Sequence, residues 1–196
     1  MSWNLNSLVK DDFSRIQMLE AHNSLFNYDI ISLCETSLTD ESASNVPEFD
    51  GYTFVPANHP DNVPHGGVGI FYKNSLPLIV RQDLSFNESL VVELKFQRKK
   101  IFFTVLYRSP SFKQNSLEFQ NFLTNFKTLN TNLKAEKPFA MFFTGDSTPI
   151  PAHGGLMVTP TWKVEILTPL LTHSISPKSW LNQQMLHQIA HLRALT

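Results

Sequence analysis

The stretch that most constrains the fold is residues 139–146, which read FAMFFTGD. Its five consecutive apolar residues predict a strand buried on both faces, as in the sheets of α/β domains. Gly145 permits a sharp exit from this strand, and Asp146 then lies at its carboxyl end. Because open α/β sheets form their ligand crevices at that end, we expect other polar side chains to converge near Asp146.

Apolar patterns elsewhere in the chain predict six further strands and two helices. The strands are predicted at residues 1–8, 30–34, 52–55, 68–72, 89–95 and 101–106. The first helix should begin at a cap formed by Asp11 or Asp12, and the second at Asn115 or Ser116. The second carries an apolar stripe of Phe119, Phe122, Leu123, Phe126, Leu129 and Leu133. Strands that alternate with helices indicate an α/β layered domain.

Composition excludes several classes of protein. The chain has 196 residues, 42% of them hydrophobic, which is enough for one domain with a core. Its net charge of -1 argues against a broad basic surface for nucleic acid, although not against a small site that works through a metal. Cys34 is the only cysteine, so it has no internal disulfide partner and a reducing compartment is expected.

The sequence also bears on location. No apolar run approaches 18 residues and no signal-peptide or other targeting pattern occurs. We therefore expect an intracellular protein of the nucleus or the cytoplasm, with no membrane partner. The sequence leaves the oligomeric state open.

Polar residues follow four of the predicted strands at their ends. They are Asn4 with Asn6, Glu35, Tyr107 with Arg108, and Asp146. Mg²⁺ prefers oxygen ligands, including one or two carboxylates, and Glu35 and Asn4 could supply them. Asp146 could orient or deprotonate an attacking water, and Tyr107 and Arg108 could contact a phosphate oxygen. Together the set predicts metal-assisted hydrolysis of a phosphodiester.

Each of these residues also has a purely structural explanation. An acidic residue at a strand end more often forms a turn or a cap than a metal site, and Tyr107 is typical of a half-buried packing group. Residues 66–69 (GGVG) lack the Lys-Ser/Thr pair and the following helix of a phosphate loop. Cys34 is expected to pack in the core. The order of the segments therefore carries more weight than any one residue.

Five segments occur in an order that resembles a known superfamily. They are SWNLNSL at 2–8, DIISLCET at 29–36, GGVGIFYK at 66–73, LYRSPS at 106–111 and FFTGD at 142–146. This order resembles the endonuclease/exonuclease/phosphatase superfamily, and most of all the apurinic-type endonuclease domain of non-LTR (LINE-type) retrotransposons. The resemblance implies a four-layer α/β sandwich of two packed sheets flanked by helices. It also implies nicking of DNA with Mg²⁺ or Mn²⁺, which primes reverse transcription.

The resemblance implies a role for individual residues as well. Asn4 and Glu35 fall on metal-site positions, and Asn6 falls on a nearby polar position. We assign Asn6 and Arg108 to the substrate phosphate. Tyr107 falls on the phosphate-contacting tyrosine, and Asp146 on the aspartate that activates water.

The resemblance breaks after Asp146. The family places an apolar residue and Asn after Gly-Asp, where this chain has Ser147 and Thr148. The family also needs a later Asp and a final Asp-His pair, but no Asp follows Asp146, and His187 and His191 lack the acidic partner of a zinc motif. We therefore divide the chain into an endonuclease/exonuclease/phosphatase-like part at 1–146 and a tail at 147–196 without the family pattern. Within the tail only 180–195 has helical spacing.

A change of reading frame would explain the tail. If residues from Ser147 onward are reverse-translated and one base is restored after the codon of Asp146, the shifted frame can encode a sequence that resembles the family's own continuation. We hypothesise that residues 147–196 are an out-of-frame translation of a decayed element and are poorly ordered. The chain would then be a nuclease domain truncated after Asp146, with impaired or no activity. Sequencing the coding DNA tests this. The alternatives are a non-catalytic binding remnant, or a phosphatase or lipid phosphodiesterase of the same superfamily.

Overall fold

The structure is a computed structural model that describes residues 1–96, 98–113, 116–146 and 163–166. The predicted cap at Asn115, the Ser147-Thr148 pair and the predicted helix at 180–195, with its two histidines, lie outside these residues. Among the residues that are described, no helix is both long enough and apolar enough to cross a membrane.

All seven predicted strands and both predicted helices are present. The elements follow the order β1 Ser2–Asn4, α1 Ser14–Phe26, β2 Ile30–Cys34, α2 Asp40–Ala43, β3 Tyr52–Ala57, β4 Val68–Lys73, β5 Leu78–Val80, β6 Ser89–Phe96, β7 Lys99–Tyr107, α3 Leu117–Ala135, β8 Ala140–Asp146 and β9 Lys163–Ile166. The patterns missed α2, β5 and β9, because elements of three or four residues are too short to show a period.

The strands form two mixed sheets. The first has the order β1-β2-β4-β3, and the second has the order β5-β6-β7-β8-β9. β1 runs parallel to β2, and β7 runs parallel to β8, whereas the other neighbouring strands are antiparallel. Each sheet therefore has one pair of parallel strands whose carboxyl ends lie side by side.

Each sheet packs a helix on its outer face. Ile16 and Leu19 of α1 lie in one buried cluster with Ile31 and Leu33 of β2. The corresponding cluster on the second sheet joins α3 to β6, β7 and β8; its members include Val91, Phe102, Phe126, Leu129, Leu133, Met141 and Phe143. The predicted apolar stripe of the second helix therefore faces the sheet, as expected for an amphipathic helix.

The inner faces of the two sheets pack against each other. Successive side chains of a strand point to opposite faces, so Leu33 faces α1 while Cys34 faces the second sheet. The central cluster contains Cys34, Val68, Ile70, Leu90, Val92, Val105 and Tyr107. The layers are thus α1, first sheet, second sheet and α3, which confirms the predicted four-layer α/β sandwich.

The beginning of the chain differs from its prediction in two ways. Phe13, not an aspartate, takes the N-cap position of α1, because Asp11 and Asp12 adopt left-handed conformations (φ 55° and 53°) that lead into it. The predicted first strand is also shorter, since left-handed Asn6 and Ser7 (φ 49° and 84°) end β1 at Asn4. The second helix has its predicted cap: the Ser116 hydroxyl accepts the Phe119 N–H at 3.2 Å.

Candidate functional site

The carboxyl ends of β1 and β2 bring the first group of predicted site residues together. Asn4 is the register partner of Cys34, and the carbonyl of Glu35 accepts the Ser7 N–H at 2.7 Å. Asn4 and Asn6 are exposed and Glu35 is half-buried. The Asn4 amide oxygen accepts the Asn6 N–H at 3.0 Å, which fixes the turn after β1. These three residues therefore share one end of the first sheet.

The second group stands at the ends of β7 and β8. Tyr107 and Asp146 are the last residues of these parallel strands and are register partners. Tyr107 is 6% exposed and belongs to the cluster between the sheets. The tyrosine is therefore a core packing group as well as a candidate for the site.

A contact through Cys34 joins the two groups. Its thiol donates to the carbonyl of Leu106 at 3.7 Å. Glu35 directly follows Cys34, and Tyr107 directly follows Leu106. β1 and β2 also contact β8, and β2 contacts β7. The strand ends that carry the predicted site residues thus meet at one end of the sandwich, which we call the rim. The Cys34 side chain is buried in the core, as predicted.

Arg108 makes contacts that a phosphate-binding role does not require. Its guanidinium donates to the carbonyl of Phe112 at 3.4 Å and lies 5.6 Å from the centre of the Phe119 ring. These contacts tie the loop after β7 to the first turn of α3. Contact between Arg108 and a substrate phosphate stays a prediction.

Sequence reasoning missed a buried carboxylate at the rim. Glu88 is 7% exposed, and its carboxylate lies against the turn at Gly66 and Gly67, with the Gly67 N–H near enough to affect its pKa. The turn at Gly66 and Gly67 is left-handed (φ 61° and 75°), and a Cβ on Gly66 would lie 2.2 Å from the Glu88 Oε1. The sequence shows this residue only as a single acid before a strand. Its burial depends on how the two sheets pack, which no local pattern reveals.

The environment of Glu88 changes its acidity. Burial raises the pKa of the Glu88 carboxyl from 4.5 to about 7, although the hydrogen bond from the Gly67 N–H acts in the opposite direction. The folded chain therefore binds a proton at Glu88 in a pH range where the unfolded chain has already released it. Ionisation of Glu88 opposes folding.

We expect the free energy of unfolding to fall as the pH rises from about 5 to about 7, by about 2 kcal/mol after allowance for solvent screening. Below this window both states carry the proton, and above it the folded state bears the full cost of a buried charge. Glu88→Gln should remove this part of the pH dependence in urea unfolding curves. The exposed Glu48 provides the control, because Glu48→Gln should keep the decline. A parallel decline in all three proteins would contradict the assignment.

The oxygen donors of the first sheet fit a hard divalent cation. Asn4 carries an amide oxygen, and the half-buried Glu35 carries a carboxylate. Within the described part of the chain, no three His, Cys, Asp or Glu side chains are arranged as metal ligands. An amide, one carboxylate and retained waters match the way proteins bind Mg²⁺.

A cleft of about 470 Å³ lies elsewhere on the first sheet. It is lined by α2, the following loop and β3, with Val46, Phe49, Tyr52 and Phe54 among its residues. None of the predicted site residues lines it. The candidate chemistry therefore belongs to the rim and not to this cleft.

Comparisons with known proteins agree with the fold. A family model described as the endonuclease/exonuclease/phosphatase family matches residues 1–193, so the match extends past Asp146. No curated protein matches the sequence. An AP endonuclease, LMAP from Leishmania major, has a similar structure with a TM-score of 0.60 and 17% identity. The match covers 74% of this chain and 53% of that chain.

Two further solved structures are similar. The endonuclease domain of TRAS1, a telomere-specific non-LTR retrotransposon, has a TM-score of 0.53 and 15% identity, with 74% of this chain and 56% of that chain covered. D. rerio TDP2, complexed with a single-strand DNA product, has a TM-score of 0.52 and 19% identity, with 74% and 58% covered. These identities show a shared fold. The chain spans between half and three fifths of the length of these structures.

Proposed function

We infer the function from family membership, since the chain belongs to the endonuclease/exonuclease/phosphatase family. We propose that it carries a Mg²⁺-dependent phosphodiester hydrolase site of the DNA-nicking type, and that this site is impaired. The observation that carries the proposal is the contact of Cys34 with the Leu106 carbonyl, because it brings the Glu35 end of β2 to the Tyr107 end of β7. The candidate metal donors and the candidate phosphate contacts would thereby share one rim.

Each residue of the rim has a chemical task in this proposal. Glu35 and Asn4 would hold Mg²⁺, which when bound polarises the phosphate and stabilises the leaving oxygen. The Asp146 carboxylate would orient the attacking water and take up its proton. The Tyr107 hydroxyl, with Asn6 and Arg108, would contact the phosphate oxygens. Mn²⁺ fits the same oxygen donors.

The proposed impairment follows from the residues after Asp146. The chain has Ser147 and Thr148 where the resemblance leads us to expect an amide, and it has no later Asp. One lost hydrogen-bond donor to the transition state typically slows an enzyme by about 10²–10³-fold. We attribute the change to a shifted reading frame in a decayed retrotransposon-derived element, with residues 1–146 as its nuclease part. The similarity of fold to the TRAS1 endonuclease domain supports that origin.

We propose DNA as the partner. The LYRSPS segment supports the retrotransposon branch over a phosphatase or lipid phosphodiesterase. The D. rerio TDP2 structure, which holds a single-strand DNA product, shares the fold. We also propose an intracellular location, in the nucleus or the cytoplasm, where the protein would have access to DNA.

Plasmid nicking in the presence of Mg²⁺ tests the impairment. We expect the full chain to convert supercoiled DNA no faster than its Glu35→Ala variant, because transition-state contacts are missing. The rate of nicked-circle formation on a gel is the measurement. Nicking that Glu35→Ala abolishes would show that the site is intact in function, which contradicts the impairment but keeps the enzyme class.

One observation favours a non-catalytic binding module as the second candidate. Arg108, a candidate phosphate contact, donates to the Phe112 carbonyl and lies against the Phe119 ring, contacts that serve the structure of the loop. Calorimetric titration with MgCl₂ separates the two candidates, because a binding module has no need of a cation at Glu35. Saturable heat supports the hydrolase site, whereas its absence favours the module.

A further inference from the structure

The buried acid at the rim touches both halves of the candidate site. Glu88 belongs to the loop before β6 of the second sheet, and its carboxylate packs against the Gly66–Gly67 turn beside the first sheet, where its Oε1 lies 2.2 Å from the position that a Gly66 Cβ would occupy. The backbone carbonyl of the same residue accepts the Tyr107 N–H at 2.9 Å. One residue therefore contacts the tyrosine through its main chain and the glycine turn through its side chain.

The Gly66–Gly67 turn also holds the backbone that follows Glu35. The carbonyl of Gly67 accepts the Thr36 N–H at 3.3 Å, and the carbonyl of Gly66 accepts the Ser37 N–H at 2.9 Å. Glu35 and Ser37 both have φ of 54°, a left-handed conformation that an L-residue keeps only where its surroundings hold it. The turn is thus the support for the conformation that presents the Glu35 side chain.

The same backbone reaches β1. The carbonyls of Glu35 and Thr36 accept the N–H groups of Ser7 and Leu8 at 2.7 and 2.8 Å. These bonds fix the segment that follows Asn4. A displacement of the Gly66–Gly67 turn would therefore move the backbone at both Asn4 and Glu35, the two proposed cation donors.

We propose that Glu88 is a positioning residue that aligns the cation donors Asn4 and Glu35 with the phosphate contact at Tyr107. This inference rests on the proposed hydrolase site. Glu88 acts through the Gly66–Gly67 turn and does not touch the cation or the reacting atoms. Hydrogen-bonding groups behind metal ligands typically change metal affinity by about 10–100-fold when they are removed.

The first arm of the test measures Mn²⁺ affinity by electron paramagnetic resonance on the full chain. Glu88→Ala removes the carboxylate that packs against the Gly66–Gly67 turn, so we expect the Kd to rise by about 10–100-fold. Glu88→Gln keeps an acceptor oxygen and should bind Mn²⁺ nearly as well as the wild type. An unchanged affinity in Glu88→Ala would overturn the proposal.

Glu93→Gln controls for general loss of stability. Glu93 is a second buried acid, 3% exposed, and it belongs to β6, where it pairs with Arg81 at 2.5 Å on the face toward α3. We expect Glu93→Gln to lower the denaturation temperature without changing the Mn²⁺ affinity. An equal loss of affinity in Glu93→Gln and Glu88→Ala would reduce the role of Glu88 to stability and overturn the proposal.

The second arm needs no metal. Amide hydrogen exchange at Thr36 and Ser37 should accelerate in Glu88→Ala and stay slow in Glu88→Gln, because these two amides bond to the glycine turn. A wild-type chain that binds no Mn²⁺ would contradict the proposed hydrolase site, while exchange would still decide whether Glu88 positions this segment. Unchanged exchange in Glu88→Ala overturns the positioning role in either case.

Discussion

Gly145→Ala should prevent the chain from folding stably. Gly145 is the next-to-last residue of β8, with a φ of 145°, and a Cβ at this position would lie 1.8 Å from the carbonyl oxygen of Leu106. That oxygen belongs to the backbone of β7, so no side-chain rotation relieves the overlap. β7 and β8 would have to separate where Tyr107 and Asp146 are register partners. We expect a loss of more than about 4 kcal/mol, a large part of the stability of an ordinary domain.

Gly51→Ala supplies the matched control for this substitution. Gly51 has a φ of 76°, and among the described residues nothing lies within 4 Å of the position that its Cβ would occupy. Only the backbone strain of a left-handed alanine remains, which costs about 1–2 kcal/mol. Urea unfolding followed by circular dichroism compares the two variants. Equal losses of stability would show that strain, and not the overlap with β7, controls the result at Gly145.

Continuous apolar runs and one strong stripe made most of the fold predictable. β2 and β8 are central in their sheets, and such strands have apolar residues on both faces. α3 was predictable because its stripe repeats over about four turns behind the Ser116 cap. The end of α1 was less predictable, because Leu25 and Phe26 continue its apolar pattern but are 76% and 59% exposed. Its cap was predicted wrongly because Asp11 and Asp12 adopt a local left-handed path.

The candidate site was predictable where residues end strands, and not where tertiary packing creates the environment. Asn4, Glu35 and Tyr107 could be named as candidates because strand ends share an edge of the sheet, and their roles stay predictions. Glu88 could not be named, because its burial depends on a contact between the loop before β6 and the distant Gly66–Gly67 turn. The Arg108 contact with Phe112 and Phe119 depends likewise on how the loop after β7 folds back on α3.

Glu35→Gln should weaken Mn²⁺ binding by about 100-fold, which corresponds to about 2.7 kcal/mol. Glu35 is the carboxylate at the end of β2, beside Asn4 at the end of β1, and a neutral amide cannot offset the charge of a hard divalent cation as a carboxylate does. The substitution keeps the size of the side chain, so the backbone bond from the Ser7 N–H to the Glu35 carbonyl should persist. The change in affinity then reports the charge of one proposed ligand.

The exposed Glu48 is the control for this measurement, because Glu48→Gln removes the same charge without touching the rim. Its Mn²⁺ affinity should stay at the wild-type value, since interactions between exposed charges beyond about 10 Å are largely screened at 0.1 M salt. Titration of the paramagnetic signal of free Mn²⁺ gives both constants under one condition. If both variants lose affinity equally, the cation responds to net charge alone, and the rim holds no site centred on Glu35.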